Sequence, residues 1–291
     1  MKHPILLAAF LAVAVPVLSA SPRAEPAQDS DIKFPQASPA ASVKQRIGLT
    51  DVEIAYSRPS ARGRKIMGGL VPYGEVWRTG ANAATKITLS TDVGIEGKLV
   101  PAGSYALFTI PGETEWTVIV NKVVGQWGSY DYDEKNDEVR VKVKPVAMPE
   151  FMETMTIDVA NVRDDSAVLT IAWEKTRVPI KLETDLVAVL VPQIKAAMAG
   201  TGKKPYFAAA MFYYEHDLDL KEAIGWIDQA IKEQPDAVWM VYRRGLILEK
   251  MGDKKGALAA GQASLEMAKK AGGSLGAEYT RLSEALIAKV K

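Results

Sequence analysis

The stretch that decides the fold is Val178-Pro-Ile-Lys-Leu-Glu-Thr-Asp-Leu-Val-Ala-Val-Leu-Val-Pro-Gln-Ile-Lys-Ala-Ala-Met-Ala199, because its period changes at about Asp185. Before that residue apolar and polar side chains alternate, the pattern of a strand with one buried face; after it the apolar residues recur at helical spacing. Working back toward the N-terminus, the same alternation predicts strands at 52–57, 86–90, 104–110, 116–121, 139–144, 155–162, 168–174 and 178–182. Turn residues separate them at 92–94, 101–103, 111–112 and 163–165, where Gly, Pro and Asp supply the backbone angles that tight turns need. Many short strands with little helix between them favour an antiparallel β-sandwich over a parallel sheet. Working forward, the spacing predicts helices at 185–199, 204–216, 220–233, 238–251, 254–271 and 275–290. The expected fold class is α+β as two domains: an antiparallel β-sandwich over 43–183, then an α-helical tetratricopeptide-like hairpin array over 184–291.

An internal repeat carries the second expectation. Asp219-Leu-Lys-Glu-Ala223 and Asp253-Lys-Lys-Gly-Ala257 lie 34 residues apart, the tetratricopeptide period. Phe207, Tyr214, Ala223, Ile227, Ala230 and Pro235 fall on one unit, and Val241, Gly245, Leu248 and Ala257 on the next. Small residues at Ala223, Ala230 and Ala257 suit paired helices that approach closely. Met211 stands where the repeat usually has Gly, and Gly261 where it usually has a large apolar residue. Two units are fewer than a free-standing array needs, so the flanking helices must complete it or the β domain must support it.

At the N-terminus, Lys2 and His3 precede the apolar run 5–17, and Ser19, Ala20 and Ser21 follow, the layout of a cleaved secretory signal over 1–20. Pro22, Pro26, Pro35 and Pro39 among Ala, Ser, Asp and Gln mark 21–42 as a disordered tether. The protein is therefore expected to be exported, periplasmic or extracellular, with no membrane span after signal cleavage. Its 291 residues carry 36 Lys and Arg against 35 Asp and Glu, so no chain-wide field favours nucleic acid. The sequence has no Cys, which excludes disulfides, thiolate metal sites and a Cys nucleophile. Cleavage would leave His216 as the single histidine, too few for a multi-His metal centre or, without a G-x-S-x-G elbow, for serine catalysis. No P-loop or dinucleotide fingerprint occurs. No cofactor and no metal is expected.

The most informative stretch for function is Tyr56-Ser-Arg-Pro-Ser-Ala-Arg-Gly-Arg-Lys65, followed by Val71-Pro-Tyr-Gly-Glu-Val-Trp-Arg-Thr-Gly-Ala-Asn82. Between Ile54 and Asn82 stand Arg58, Arg62, Arg64, Lys65 and Arg78 against Glu75 alone, a local charge of +4. Arginine's planar fork binds carboxylate or phosphate bidentately and stacks on aromatics, so an anion or sugar-acid pocket is one reading. The other is that these cations pair with Asp131-Tyr-Asp-Glu-Lys-Asn-Asp-Glu138, whose local charge is −4. That acidic loop is not an EF-hand: Lys135 occupies a ligand position, no Gly stands sixth, and Lys142 replaces the closing Glu. Trp116, Trp127, Tyr130 and Tyr132 would either stack on sugars or fill the sandwich.

The peptides Tyr56-Ser-Arg-Pro-Ser, Gly63-Arg64, Val71-Pro-Tyr-Gly, Trp77-Arg-Thr-Gly-Ala-Asn82, Ala102-Gly-Ser-Tyr-Ala-Leu-Phe-Thr-Ile-Pro111 and Trp116-Thr-Val-Ile-Val-Asn121 resemble, in order, the Domain of Unknown Function 2911 family of exported bacterial proteins. The resemblance covers about 43–182. It implies an export signal, a β-rich domain and, in many members, helical repeats, but no catalytic residues. The positions Arg58, Arg64, Trp77, Arg78 and Asn82 belong to that signature and are the candidate ligand-binding residues. The expectation is an exported binding or scaffold protein. Its β domain would hold an anionic or glycan ligand, and its helical repeats a protein or peptide partner. A cell-envelope hydrolase using two carboxylates is the alternative.

Overall fold

The computed structural model describes residues 34–291, so the expected signal and most of the expected tether lie outside the described residues. In chain order the elements are β1 (Ala40–Ile47), β2 (Thr50–Ser57), β3 (Thr85–Leu89), β4 (Val93–Ile95), β5 (Lys98–Val100), β6 (Gly103–Ile110), β7 (Trp116–Asn121), β8 (Asp137–Val143), β9 (Val146–Ala160) and β10 (Ser166–Glu183). Six helices follow: α1 (Leu186–Ala199), α2 (Tyr206–Glu215), α3 (Leu220–Glu233), α4 (Val238–Lys250), α5 (Lys254–Ala271) and α6 (Gly273–Val290). The chain is α+β in two parts, and residues 38–291 form one compact unit.

The β part holds two antiparallel sheets, ordered β1-β2-β3-β6-β7-β8 and β5-β4-β10-β9. Alternation places Ile54, Ile87, Leu107 and Val118 of the first sheet and Ile157, Leu169, Ile171 and Ile180 of the second in one apolar core. At its heart the indole of Trp77 stacks on Trp173 (centroids 6.1 Å, planes 20° apart) and meets Trp116 edge-on at 6.3 Å. Trp116 and Trp173 are each only 1% exposed, so the core owes much of its apolar burial to this trio.

Several boundaries differ from expectation. Residues 40–42, read as the end of the tether, are strand: β1 pairs Ala41 with Tyr56 and Val43 with Ile54, and its alternation starts immediately after Pro39. Of residues 92–94, read as a turn, Val93 and Gly94 belong to β4. The chain reverses one step later at Glu96-Gly97, where both residues have positive φ (49° and 75°), the signature of a type I′ hairpin turn. The two strands expected at 168–174 and 178–182 are one, β10, whose register against β9 shifts on both sides of Glu174. Glu174 itself has φ 52°, so a bulge interrupts the alternation without ending the strand.

The helices follow their sequence signals. Asp185, Asp219 and Asp253 cap α1, α3 and α5, each carboxylate accepting a backbone N–H of the first turn. The aspartates that open the 34-residue repeat are thus helix caps, and the alanines that close it, Ala223 and Ala257, are buried within α3 and α5. From α2 onward neighbouring helices pack in sequence order, and α2 also touches α4 and α4 touches α6. Glycine makes the last contacts close: a Cβ on Gly245 of α4 would lie 2.7 Å from Leu286 of α6, and one on Gly261 of α5 would lie 3.0 Å from Ile287. Gly261 therefore stands where a large residue was expected because α6 fills that space. No helix among the described residues is long and apolar enough to cross a membrane.

Two substitutions test this packing. Trp173→Ala removes the indole on which Trp77 stacks and is expected to cost about 3–5 kcal/mol, read as a lower urea midpoint. Gly245→Val forces a branched side chain into the Leu286 contact and is expected to cost about 1–3 kcal/mol, with near-ultraviolet dichroism of the β-part tryptophans retained.

Candidate functional site

Residues 58–71 leave β2 and begin along β9, the edge strand of the second sheet. The strap begins at Tyr56, whose hydroxyl accepts from Ile157 N at 2.9 Å. Arg58 donates through Nε to Met155 O (3.0 Å) and through Nη2 to Thr156 Oγ1 (2.7 Å). Ser60 meets Thr154 at 2.9 Å, Ala61 N donates to Glu153 O, and Arg62 N donates to Glu153 Oε1 at 2.7 Å. Arg64 turns back on its own loop, donating to Ala61 O (3.0 Å) and Ser60 O (2.8 Å). Glu174, at the bulge of β10, accepts Ile66 N at 2.8 Å and Met67 N at 3.1 Å on its two oxygens. A loop this exposed in backbone must satisfy its donors and acceptors somewhere; Arg58, Arg64, Glu153 and Glu174 do that for this one.

The second half of the signature follows. Trp77 joins the core trio, and its Nε1 donates to Gly80 O at 3.2 Å. Its backbone exchanges both hydrogen bonds with Thr109. Thr79 and Asn82 both sit at positive φ (56° and 59°), which Asn tolerates and Thr does not favour. Buried Thr79 meets Thr109 at 3.0 Å and Thr85 donates to Thr79 O at 2.6 Å, which hold the strained turn. Asn82 Nδ2 donates to Ser57 Oγ (3.3 Å) and Ser38 O (3.4 Å), and its carbonyl accepts Gly128 N at 3.1 Å.

Arg78 is different. It is half-buried, its guanidinium makes no hydrogen bond or ion pair among the described residues, and its Nε is shielded from solvent. A Cβ on Gly128 would sit 3.1 Å from Arg78 Nη1 and 2.6 Å from the Tyr130 ring, so both side chains close on that glycine, whose φ is 70°. The loop that brings them is pinned by Ala84 N donating to Gln126 O and by a bridge between Ala83 and Trp127. Trp127 and Tyr130 face solvent, at 64% and 80% exposure. Of the five signature positions, the structure thus brings Arg78 and Asn82 to one surface with Trp127 and Tyr130. Arg58, Arg64 and Trp77 serve the strap and the core.

Among the described residues Arg58, Arg64, Lys65 and Arg78 form no ion pair with the acidic loop. Three of the loop's carboxylates are met by cations close to it in sequence: Arg140 engages Asp137, Glu134 and the Tyr132 hydroxyl, and Lys122 meets Glu138 at 2.9 Å. Burial first, then its hydrogen bond to Asp137, pushes the Tyr132 hydroxyl up to about 12, so it remains a neutral donor. Trp116 and Tyr132, read as sugar-stacking candidates, are respectively core and part of this ion network.

Sequence reasoning missed one feature. A cavity of about 730 Å³ opens where the β1–β2 turn, the β4–β5 hairpin and the β10–α1 junction meet, and no signature residue lines it. Four carboxylates do: Asp92 accepts Ala102 N, Asp165 accepts the Ser166 hydroxyl, Glu183 pairs with Lys181 and Asp185 caps α1. Among the described residues no group of three or more His, Asp or Glu is placed to hold a metal ion.

Residues 38–182 match the model of a family described as Protein of unknown function (DUF2911). No curated protein and no solved structure matches the chain.

The strap's dependence on Glu174 is directly measurable. Glu174→Ala strands two backbone donors and is expected to cost about 1–3 kcal/mol. Hydrogen exchange should accelerate at the amides of Ile66 and Met67 well before that of the β7 amides.

Proposed function

We propose, taking residues 38–182 as a domain of the DUF2911 family, that this is an exported binding and scaffold protein whose β part takes an anionic, sugar-like ligand at Arg78. The observation that carries the reading is the half-buried guanidinium without a partner among the described residues, since desolvating a cation is costly unless something pairs with it. A sugar acid meets the requirement. Its carboxylate would take the planar fork of Arg78, while the apolar face of its ring would lie on Trp127 or Tyr130, both exposed beside it. The loop is already fixed by Asn82, Gly128 and the Ala83–Trp127 bridge, so little would have to order on binding.

The helical half supports a scaffold role as a tetratricopeptide-like array. Alternate helices α2, α4 and α6 touch, and they carry Tyr214, Tyr242 and Tyr279, the last two edge-on at 5.8 Å. Arg243 and Arg281 act electrostatically on the same tyrosine, Tyr242, giving a basic aromatic face suited to a peptide partner. Export rests on the charged, apolar and small-residue layout of residues 1–20.

Titration with a uronic acid oligomer and its uncharged parent sugar, followed by isothermal calorimetry, tests the ligand site. Binding of the acid is expected to fall at least tenfold in Arg78→Lys and in Trp127→Ala, with melting temperatures unchanged. Equal affinity for the two sugars, or wild-type binding by Arg78→Lys, would remove the reading.

A further inference from the structure

The cavity at the β10–α1 junction is lined by none of the residues around Arg78. Its apolar surface follows from turn geometry. The β1–β2 hairpin turns on Gly48-Leu49, with Ile47 paired to Thr50 and positive φ at Gly48 alone, the pattern of a type II′ turn. That turn is wedged: a Cβ on Gly48 would lie 2.2 Å from Asp164 O and 2.8 Å from Leu186 Cδ1. Leu49 is thus held at the tip, 55% exposed, and Leu99 on β5 is 66% exposed on the same cavity. Val189 on α1 lies 51% exposed on it as well. Exposed aliphatic side chains from three separate elements lining one 730 Å³ space are a ligand-sized apolar surface.

The rim has one sign. Asp92, Asp165, Glu183 and Asp185 line it, and Lys181 is the cation paired with one of them, Glu183, at 2.6 Å. On the helical side His216 at the end of α2 closes it, its side chain 8% exposed; Nε2 lies 3.0 Å from Asp164 Oδ2 but off the line of a hydrogen bond. We propose that this cavity binds a small apolar cation, an alkyl or aryl amine whose hydrocarbon lies on Leu49, Leu99 and Val189 and whose ammonium faces the Asp92 and Asp165 carboxylates. An apolar anion of the same shape would meet those carboxylates as repulsion, so charge sign is the discriminating property. The backbone around the cavity is fixed by the α1 cap and by Thr184 N donating to Asp165 O at 2.8 Å, which makes the site preformed.

The test is amide chemical-shift titration of the full chain with octylammonium, octanoate and octanol at low salt. Octylammonium is expected to shift residues around Leu49, Leu99 and Val189 and to bind at least tenfold more tightly than octanoate. The double variant L49S/L99S, altered only at exposed positions, should lose at least tenfold for both octylammonium and octanol. The double variant D92N/D165N keeps both acceptor oxygens; it should weaken octylammonium about tenfold and leave octanol unchanged. Octanoate binding as tightly as octylammonium, wild-type affinity in L49S/L99S, or shifts centred on Trp127 instead would overturn the proposal.

Discussion

The structure depends on how one bulged strand and one loop satisfy each other's backbone. At Glu174 the ladder between β9 and β10 slips, and the residue takes a left-handed φ of 52°. A non-glycine residue there is held by its surroundings, and what holds it is the pair of amides of Ile66 and Met67 that its carboxylate accepts. The same contact anchors the strap to the second sheet, while Arg58 and Glu153 anchor the strap's beginning to β9. Without those bonds β9, the edge strand of the second sheet, would present unpaired groups along its free side. The second sheet is therefore tied to this loop, in which Arg58 and Arg64 donate mostly to carbonyl oxygens.

The indole of Trp77 links this closure to the surface that carries Arg78. Because Trp77 stacks on Trp173 beneath the core's edge, its chain neighbour Arg78 is directed away from the trio toward Gly128 and Tyr130. The strained turn at Thr79 and Asn82 fixes that direction, its polar groups taken up by Thr109, Thr85 and Ser57. Strain at a loop that positions one unpaired cation is the kind of cost that a binding site retains and a purely structural turn sheds.

How legible this was in the sequence depends on the range of the interaction. Helix boundaries and the strand Trp116–Asn121 were readable because periodicity and capping are local, and Asp219 and Asp253 announce their helices within three residues. The β4–β5 hairpin was misplaced by one turn because Gly94 looks like punctuation, whereas the reversal needs positive φ at Glu96 and Gly97 together. The two charge islands balance arithmetically, yet the acidic loop finds Arg140 and Lys122 within its own hairpin, a shorter loop to close than the one to residue 58. The roles of Arg58 and Arg64 could not be read at all, since their acceptors are mostly carbonyl oxygens, which every residue carries.

The junction cavity escaped sequence reading for a related reason, and the reason bears on what it is. Leu49 and Leu99 sit in strands and turns where alternation assigns them to the solvent side, so each alone is an ordinary exposed leucine. Only the Gly48 turn, forced against Asp164 and Leu186, and the I′ turn at Glu96-Gly97 bring them to one place beside α1. The two reversals are set by positive φ at Gly48, Glu96 and Gly97, not by Leu49 or by Leu99 on β5, so neither turn requires a leucine at those positions. The two leucines supply apolar area beneath a ring of carboxylates, and apolar area with a single sign of charge around it is the complement of an amphiphilic cation.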